Sequence, residues 1–155
     1  MLRVCKTVSI GTNEAALEAS YRIMPENPDL PAGTRAAVEF NIHTSALAAR
    51  EMGFYAGKGE WTEDTTSPRS LHRRTTVTVP DPLLGIETTL ATTAPCDAWL
   101  FPVYTVNKSE TGFELTYQCL SLWLLQSLSD DGATEFTIRL RTADTPVARA
   151  DAEPP

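Results

Sequence analysis

Residues 98–141 decide the fold: AWLFPVYTV (98–106), a turn on NKSETG (107–112), FELTYQCLSLWLL (113–125), a turn on DDG (130–132) and EFTIRLR (135–141). Phe113, Leu115, Tyr117, Cys119, Trp123 and Leu125 fall at odd positions. Phe136, Ile138 and Leu140 repeat the period of two with polar or charged residues between them. Side chains alternate across a strand, so this pattern predicts antiparallel sheet. It says little about activity, because no residue set elsewhere in the chain has the spacing of a catalytic centre.

Upstream, Leu2, Val4, Val8 and Ile10 alternate with polar residues, Lys6 being the exception, and Gly11-Thr12-Asn13 ends that strand. Ala15, Leu17, Ala19, Tyr21 and Ile23 alternate again; the segment is Ala- and Glu-rich, but periodicity favours strand over helix. Residues 24–34, with three prolines and a glycine, form a loop. Arg35 to His43 predicts a strand with Ala36, Val38, Phe40 and Ile42 inward and Glu39, Asn41 and His43 on the other face. That face suits a sugar or a hard cation, or is simply a solvated surface. From Thr44 to Ser70 the pattern weakens. Ala46 to Glu51 suggests a helical turn, and Tyr55 and Trp61 form an aromatic pair in a Gly-rich loop that either covers an open end of the fold or stacks on a sugar. Glu60, Glu63 and Asp64 read as solvated. Leu71 to Val79 predicts a strand stopped by Pro80-Asp81-Pro82; Leu84 to Leu90 predicts another, followed by a turn over Thr92 to Pro95. About eight strands result, expected as two antiparallel sheets packed face to face: an all-β sandwich spanning residues 1–145, with 146–155 as a flexible tail.

The chain has 155 residues, enough for one substantial core, and a net charge of −7. An acidic surface opposes binding to nucleic acid and anionic membranes, and the basic run Arg69 to Arg74 is too short to reverse this. No apolar run reaches membrane-spanning length and the N-terminus lacks a secretory pattern, so a cytoplasmic location is expected. Three cysteines, Cys5, Cys96 and Cys119, fit buried thiols better than a disulfide framework.

Two histidines 29 residues apart, His43 and His72, exclude a His-rich metal centre. GFYAGKGE (53–60) lacks the preceding strand and the hydroxyl residue of a phosphate loop. No serine sits in a nucleophile elbow. Glu110, Glu114 and Asp97 are the carboxylates nearest to a glycosidase pair, but Glu110 lies in a turn expected to face water, and no feature raises its pKa. No cofactor, metal site or catalytic residue is expected.

The run from Trp99 to Gln118 resembles a signature of the C-terminal β-sandwich domain of family 57 glycoside hydrolases, the α-amylase and 4-α-glucanotransferase group. It matches at Trp99, Phe101, Pro102, Thr105, Val106, Ser109, Glu110, Gly112, Phe113, Glu114, Tyr117 and Gln118, and departs at Asn107 and Cys119. Val38 to Asn41 and the Asp81 to Gly85 turn are weaker echoes. The resemblance implies a galactose-mutarotase-like sandwich that carries no hydrolase chemistry, since nucleophile and acid belong to an N-terminal barrel. It implies an accessory role, with an α-glucan, a catalytic barrel or a second copy of the chain as partner. The residues nominated for sugar contact are Trp99, Tyr104, Glu110, Gln118, Trp61 and Tyr55. Strand alternation sets Trp99 and Tyr104 on opposite faces unless the strand bulges. Pro102 predicts an edge or irregular position, and Gly112 a turn dihedral other residues resist. Two other readings stay open: a docking or homodimeric sandwich, and a mutarotase-like epimerase using His43 with Glu39 or Glu110.

Overall fold

The computed structural model describes residues 1–26, 30–44, 54–57, 61–62, 67–109, 112–129 and 132–145. The expected helical turn at Ala46 to Glu51, the acidic residues Glu60, Glu63 and Asp64, the tail 146–155 and Glu110 lie outside these. Nine strands make up the described chain: β1 (Leu2–Ile10), β2 (Ala16–Pro25), β3 (Arg35–Ile42), β4 (Phe54–Ala56), β5 (Trp61–Thr62), β6 (Arg69–Asp81), β7 (Ile86–Ser109), β8 (Gly112–Ser127) and β9 (Thr134–Asp144). All pairings are antiparallel.

β7 is the axis of the fold. On one edge it pairs with β6 from Ile86 to Leu100. Its other edge serves two strands in succession: β9 along Ile86 to Thr92, then β8 from Asp97 onward. The hydrogen-bonded sheet therefore forks at residues 92–97 into a β1-β2-β9 half and a β3-β8 half. The core fills the space between the halves. Val77, Val79, Leu90, Ala98 and Leu100 of the shared strands meet Ile23, Phe136 and Ile138 from one half and Leu120, Leu122 and Leu124 from the other. The all-β sandwich class is thus correct, although its two layers are continuous through β6 and β7.

The expected turn at Thr92 to Pro95 is overturned. These residues lie inside one 24-residue strand, at the fork, where the β6 partner jumps from Ala91 to Cys96. Thr and Pro there signal an interruption of pairing on the β6 side, not a reversal. The Pro80-Asp81-Pro82 stop is close: β6 ends at Asp81, whose side chain accepts the Leu84 N–H at 3.1 Å, and Gly85 turns the chain at φ 65°.

A second correction concerns phase in β8. The core takes Leu120, Leu122 and Leu124, at even positions, with Ser121 and Leu125 also buried but on the other face, while Phe113, Leu115 and Tyr117 share the face of the three leucines at odd positions. The register explains the change. Val103 pairs with Cys119 but Tyr104 with Tyr117, so Gln118 is the extra residue of a bulge and shifts the alternation by one. Cys119 and Trp123 consequently lie on the outer face. Beyond the bulge, residues 104–109 and 112–117 form a two-stranded ribbon closed by Gly112 at φ 136°. Pro102 stands just past the end of β6, where β7 has become an edge on that side, as its missing N–H requires.

The faces of β3 are as expected. Ala36, Val38, Phe40 and Ile42 face the core, with Glu39, Asn41 and His43 exposed. β1 and β2 are both strands. Of the thiols only Cys96 is buried; Cys5 is exposed on the edge strand β1 and Cys119 is partly covered, so the expectation of three buried cysteines fails.

Candidate functional site

The outer face of the β3-β8-β7 half carries the densest grouping of chemically useful side chains among the described residues. Register puts Glu39, Trp123, Trp99 and Ser70 in one row, and Asn41, Ser121 and Phe101 in the next. Trp99 is 36 % exposed, flanked in sequence by the buried Ala98 and Leu100, so alternation obliges its indole to face outward. Phe101 stands edge-on to both indoles: 6.3 Å and 87° from Trp99, 6.1 Å and 74° from Trp123. Trp123 is tied down by its Nε1–H, which donates to Ser121 Oγ at 3.0 Å, while that hydroxyl donates to Glu39 Oε1 at 2.8 Å. Beside Trp99, Pro68, Arg69 and Ser70 wall a groove of about 300 Å³ whose floor is Trp99 and Phe101. Apolar surface with a few polar groups at its margin is the usual make-up of a small-ligand site.

Of the six residues nominated from sequence, Glu110 lies outside the described residues, and Trp99, Tyr104, Gln118 and Tyr55 do not converge. Trp99 is on the outer face. Tyr104 is on the inner one, edge to face with Tyr117 at 5.7 Å. Because the bulge is in β8, β7 keeps its alternation and the two aromatics remain on opposite sides. Gln118 is the bulged residue itself, its amide donating to Thr105 Oγ1 at 3.0 Å. Tyr55 pairs with Trp61 across the β4-β5 hairpin, so the supposed loop pair belongs to short strands, anchored by the buried Phe54 and Ala56 and hydrogen-bonded to β6 through Tyr55 and Ala56. Phe101 and Trp123 were missed. The run Leu120, Leu122, Leu124 carried the signal for Trp123, since three inward leucines leave the intervening tryptophan outward.

His43 and Asp97, two of the groups considered for catalysis, have structural partners. His43 Nδ1 lies 2.6 Å from the Gln118 carbonyl and must donate to it, filling the acceptor that the bulge removes from the ladder. Asp97 accepts the Arg73 N–H at 3.1 Å and pairs with the Arg35 guanidinium at 2.8 Å, with His72 at 3.6 Å. Arg73 has a positive φ of 51°, so the carboxylate pins an irregular turn of β6. The Arg73 hydrogen bond, opposed by burial and aided by the Arg35 and His72 charges, holds the Asp97 carboxyl below its ordinary value. An acid so held is ionised at neutral pH and cannot protonate a leaving group. Burial pushes the Cys96 and Cys119 thiols up, away from nucleophilic thiolate. No group of three or more His, Cys, Asp or Glu is gathered for a metal ion among the described residues, and no helix there is long and apolar enough to cross a membrane.

A larger concavity, about 530 Å³, lies on the outer face of the other half, between Thr7, Ser20, Arg22, Thr93, Glu135 and Thr137. Its polar groups satisfy one another: Ser20 with Thr137 at 2.8 Å, Arg22 with Glu135 at 3.2 Å, and the Thr137 N–H with Thr93 Oγ1 at 2.9 Å. The stacked rings beside it, Tyr21 and Phe136, belong to the core.

The inner face of the ribbon is the other conspicuous surface. Cross-strand pairs Tyr104–Tyr117, Val106–Leu115 and Lys108–Phe113 share it. Val106, Leu115 and Phe113 are 64, 71 and 80 % exposed. Polar residues take the opposite face, where Asn107 donates to Thr116 Oγ1 at 2.8 Å.

The family described as Alpha-amylase/4-alpha-glucanotransferase, C-terminal, matches residues 1–140. Among solved structures the chain is similar to the 4-alpha-glucanotransferase from Thermococcus litoralis, with a TM-score of 0.63 at 23 % identity over 90 % of this chain. It spans only 18 % of the length of that protein. No curated protein sequence matches.

Proposed function

Because this chain belongs to the alpha-amylase/4-alpha-glucanotransferase C-terminal family, we propose that it is a noncatalytic accessory domain of an α-glucan-active enzyme, seated against the catalytic part by the inner face of its ribbon and meeting α-1,4-glucan on its outer face. The bare ribbon carries this reading. Three large apolar side chains stand together in solvent at one end of the sheet's inner face, and such a patch marks an interaction surface. The small share of the glucanotransferase that the chain spans supports a large neighbouring domain as the occupant. Of the groups nominated for epimerase or glycosidase chemistry, His43, Glu39 and Asp97 have structural partners, and the three free thiols suit the cytoplasm.

The test is incubation of the purified chain with maltoheptaose, followed by chromatography of the sugars and sedimentation of the protein. The expected result is an unchanged sugar profile and a monomer. Shorter or longer oligosaccharides would make the chain an enzyme. A stable dimer would give the ribbon to a second copy.

A further inference from the structure

We propose that the outer face at the irregular turn of β6 docks an extended peptide segment that carries a large apolar side chain and a carboxylate two residues apart. The apolar side chain rests on Trp99 and Phe101, and the carboxylate meets Arg73 and Arg35. The inference goes beyond the accessory reading and does not depend on it. It takes one corner of the outer face and leaves the rest to glucan.

A β-bulge builds the basic half of the site. Leu71 pairs with Ala98 and Arg74 with Cys96, so His72 and Arg73 together oppose Asp97. Ala98 and Cys96 are buried, which places their partners on the inner face and leaves His72 and Arg73 side by side on the outer one, both exposed. Arg35 reaches the same spot from β3, its guanidinium 2.8 Å from Asp97. Asp97 balances one of the two guanidinium charges. The Arg73 guanidinium has no ion pair among the described residues, on a chain whose net charge is −7. Arg73 is also the one non-glycine among the described residues with a positive φ, 51°. Glycine would adopt that conformation with less strain, so the backbone bears a cost to hold a cation that nothing in the described chain uses.

The apolar half adjoins it on the same face. Trp99 stands two residues from Asp97 along β7, about 7 Å away. With Phe101 it floors the groove of about 300 Å³ walled by Pro68, Arg69 and Ser70, room for one large side chain. Side chains on one face of an extended segment repeat at the same interval, so an apolar residue and an acidic one at that spacing reach the floor and the cations together. A carboxylate suits the cluster better than a phosphate, because Asp97 sits within it and repels a second negative charge on the ligand.

Titration of the isotope-labelled full chain with two blocked pentapeptides, acetyl-Thr-Leu-Thr-Glu-Thr-amide and acetyl-Thr-Glu-Thr-Leu-Thr-amide, followed in proton–nitrogen correlation spectra, tests this. At least one order should move the Trp99 indole and residue-73 amide signals saturably, with half-saturation below about 5 mM. Replacing the peptide's Glu by Gln, or Arg73→Gly in the protein, should weaken binding by about threefold or more. Glycine suits the positive φ, so Arg73→Gly should unfold in urea at the wild-type midpoint or above it. The proposal is overturned by silence of both peptides at about 20 mM, by equal binding of the Gln peptide, or by binding indifferent to Arg73→Gly. A lowered midpoint for Arg73→Gly would give the guanidinium a structural task and overturn it too. So would inorganic phosphate moving the same signals as strongly, since that describes a plain anion site. None of these results touches the sugar profile or the oligomeric state, by which the accessory reading is judged.

Discussion

At the residue scale the chain spends its polar side chains on holding irregular backbone. Asp97 is the fullest case, because one carboxylate serves the Arg73 N–H, the Arg35 guanidinium and His72. Asp97→Asn should cost about 1–2 kcal/mol at neutral pH, the range for a partly exposed, charge-assisted group losing its charge. The sign of the pH effect follows from the lowered pKa. The stabilisation is fully present above the carboxyl's unfolded value near 4 and is lost as pH falls through the lower folded value. Urea unfolding of wild type and variant should therefore differ at about pH 7 and converge by about pH 2. A gap that persisted in acid would contradict the assignment. His43 is read in the same way: His43→Ala leaves the Gln118 carbonyl without its donor and should cost about 1 kcal/mol. The exposed Glu39-Asn41-His43 face was legible from alternation alone. The use of His43 as a clamp was not, because the carbonyl it serves lies 75 residues away, at a bulge that no local signal announces.

At the element scale two irregularities shape the molecule, and both defeat a strict period-two reading. The first is the fork at residues 92–97, where Thr and Pro look like a turn but the strand runs on with a change of neighbour. The strands themselves were legible; their union into β7 was not, since it depends on β6 following β7 on both sides of the break. The second is Gln118. Reading odd positions from Phe113 to Leu125 as one face joins two phases that the bulge separates. Deleting Gln118 should remove the extra residue and leave Phe113, Leu115 and Tyr117 on the inner face, still opposite Tyr104, Val106 and Lys108. Retention of the Tyr104–Tyr117 contact, seen as an unchanged near-ultraviolet circular dichroism signal, is the expected outcome. A lost signal would show that Gln118 does more than absorb one residue of register.

At the scale of the whole molecule, the inner sheet face is longer than the core that covers it. Leu2, Val4, Val8 and Ile10 of β1 extend it bare at one end, and Val106, Leu115 and Phe113 at the other. Lys6, in the middle of β1 and 5.4 Å above the Tyr21 ring, places a charge among the β1 aliphatics, a device that discourages edge-to-edge pairing. The ribbon has no such charge at its centre, only Lys108 near its tip, which is why it is the better docking surface. Sequence resemblance pointed to an accessory sandwich, but the ribbon's bare face was hidden, because Phe113 and Leu115 look like core residues until the register shows them past the core's end. The measurement that tests this most directly is thermal unfolding of the double variant Phe113→Asp/Leu115→Asp, with binding of a hydrophobic dye followed in parallel. If the ribbon is a docking surface, the midpoint should stay within about 2 °C of wild type, as for other exposed positions, and dye binding should fall. A drop of about 8 °C or more would show that these side chains belong to the domain's own core, and would contradict the account.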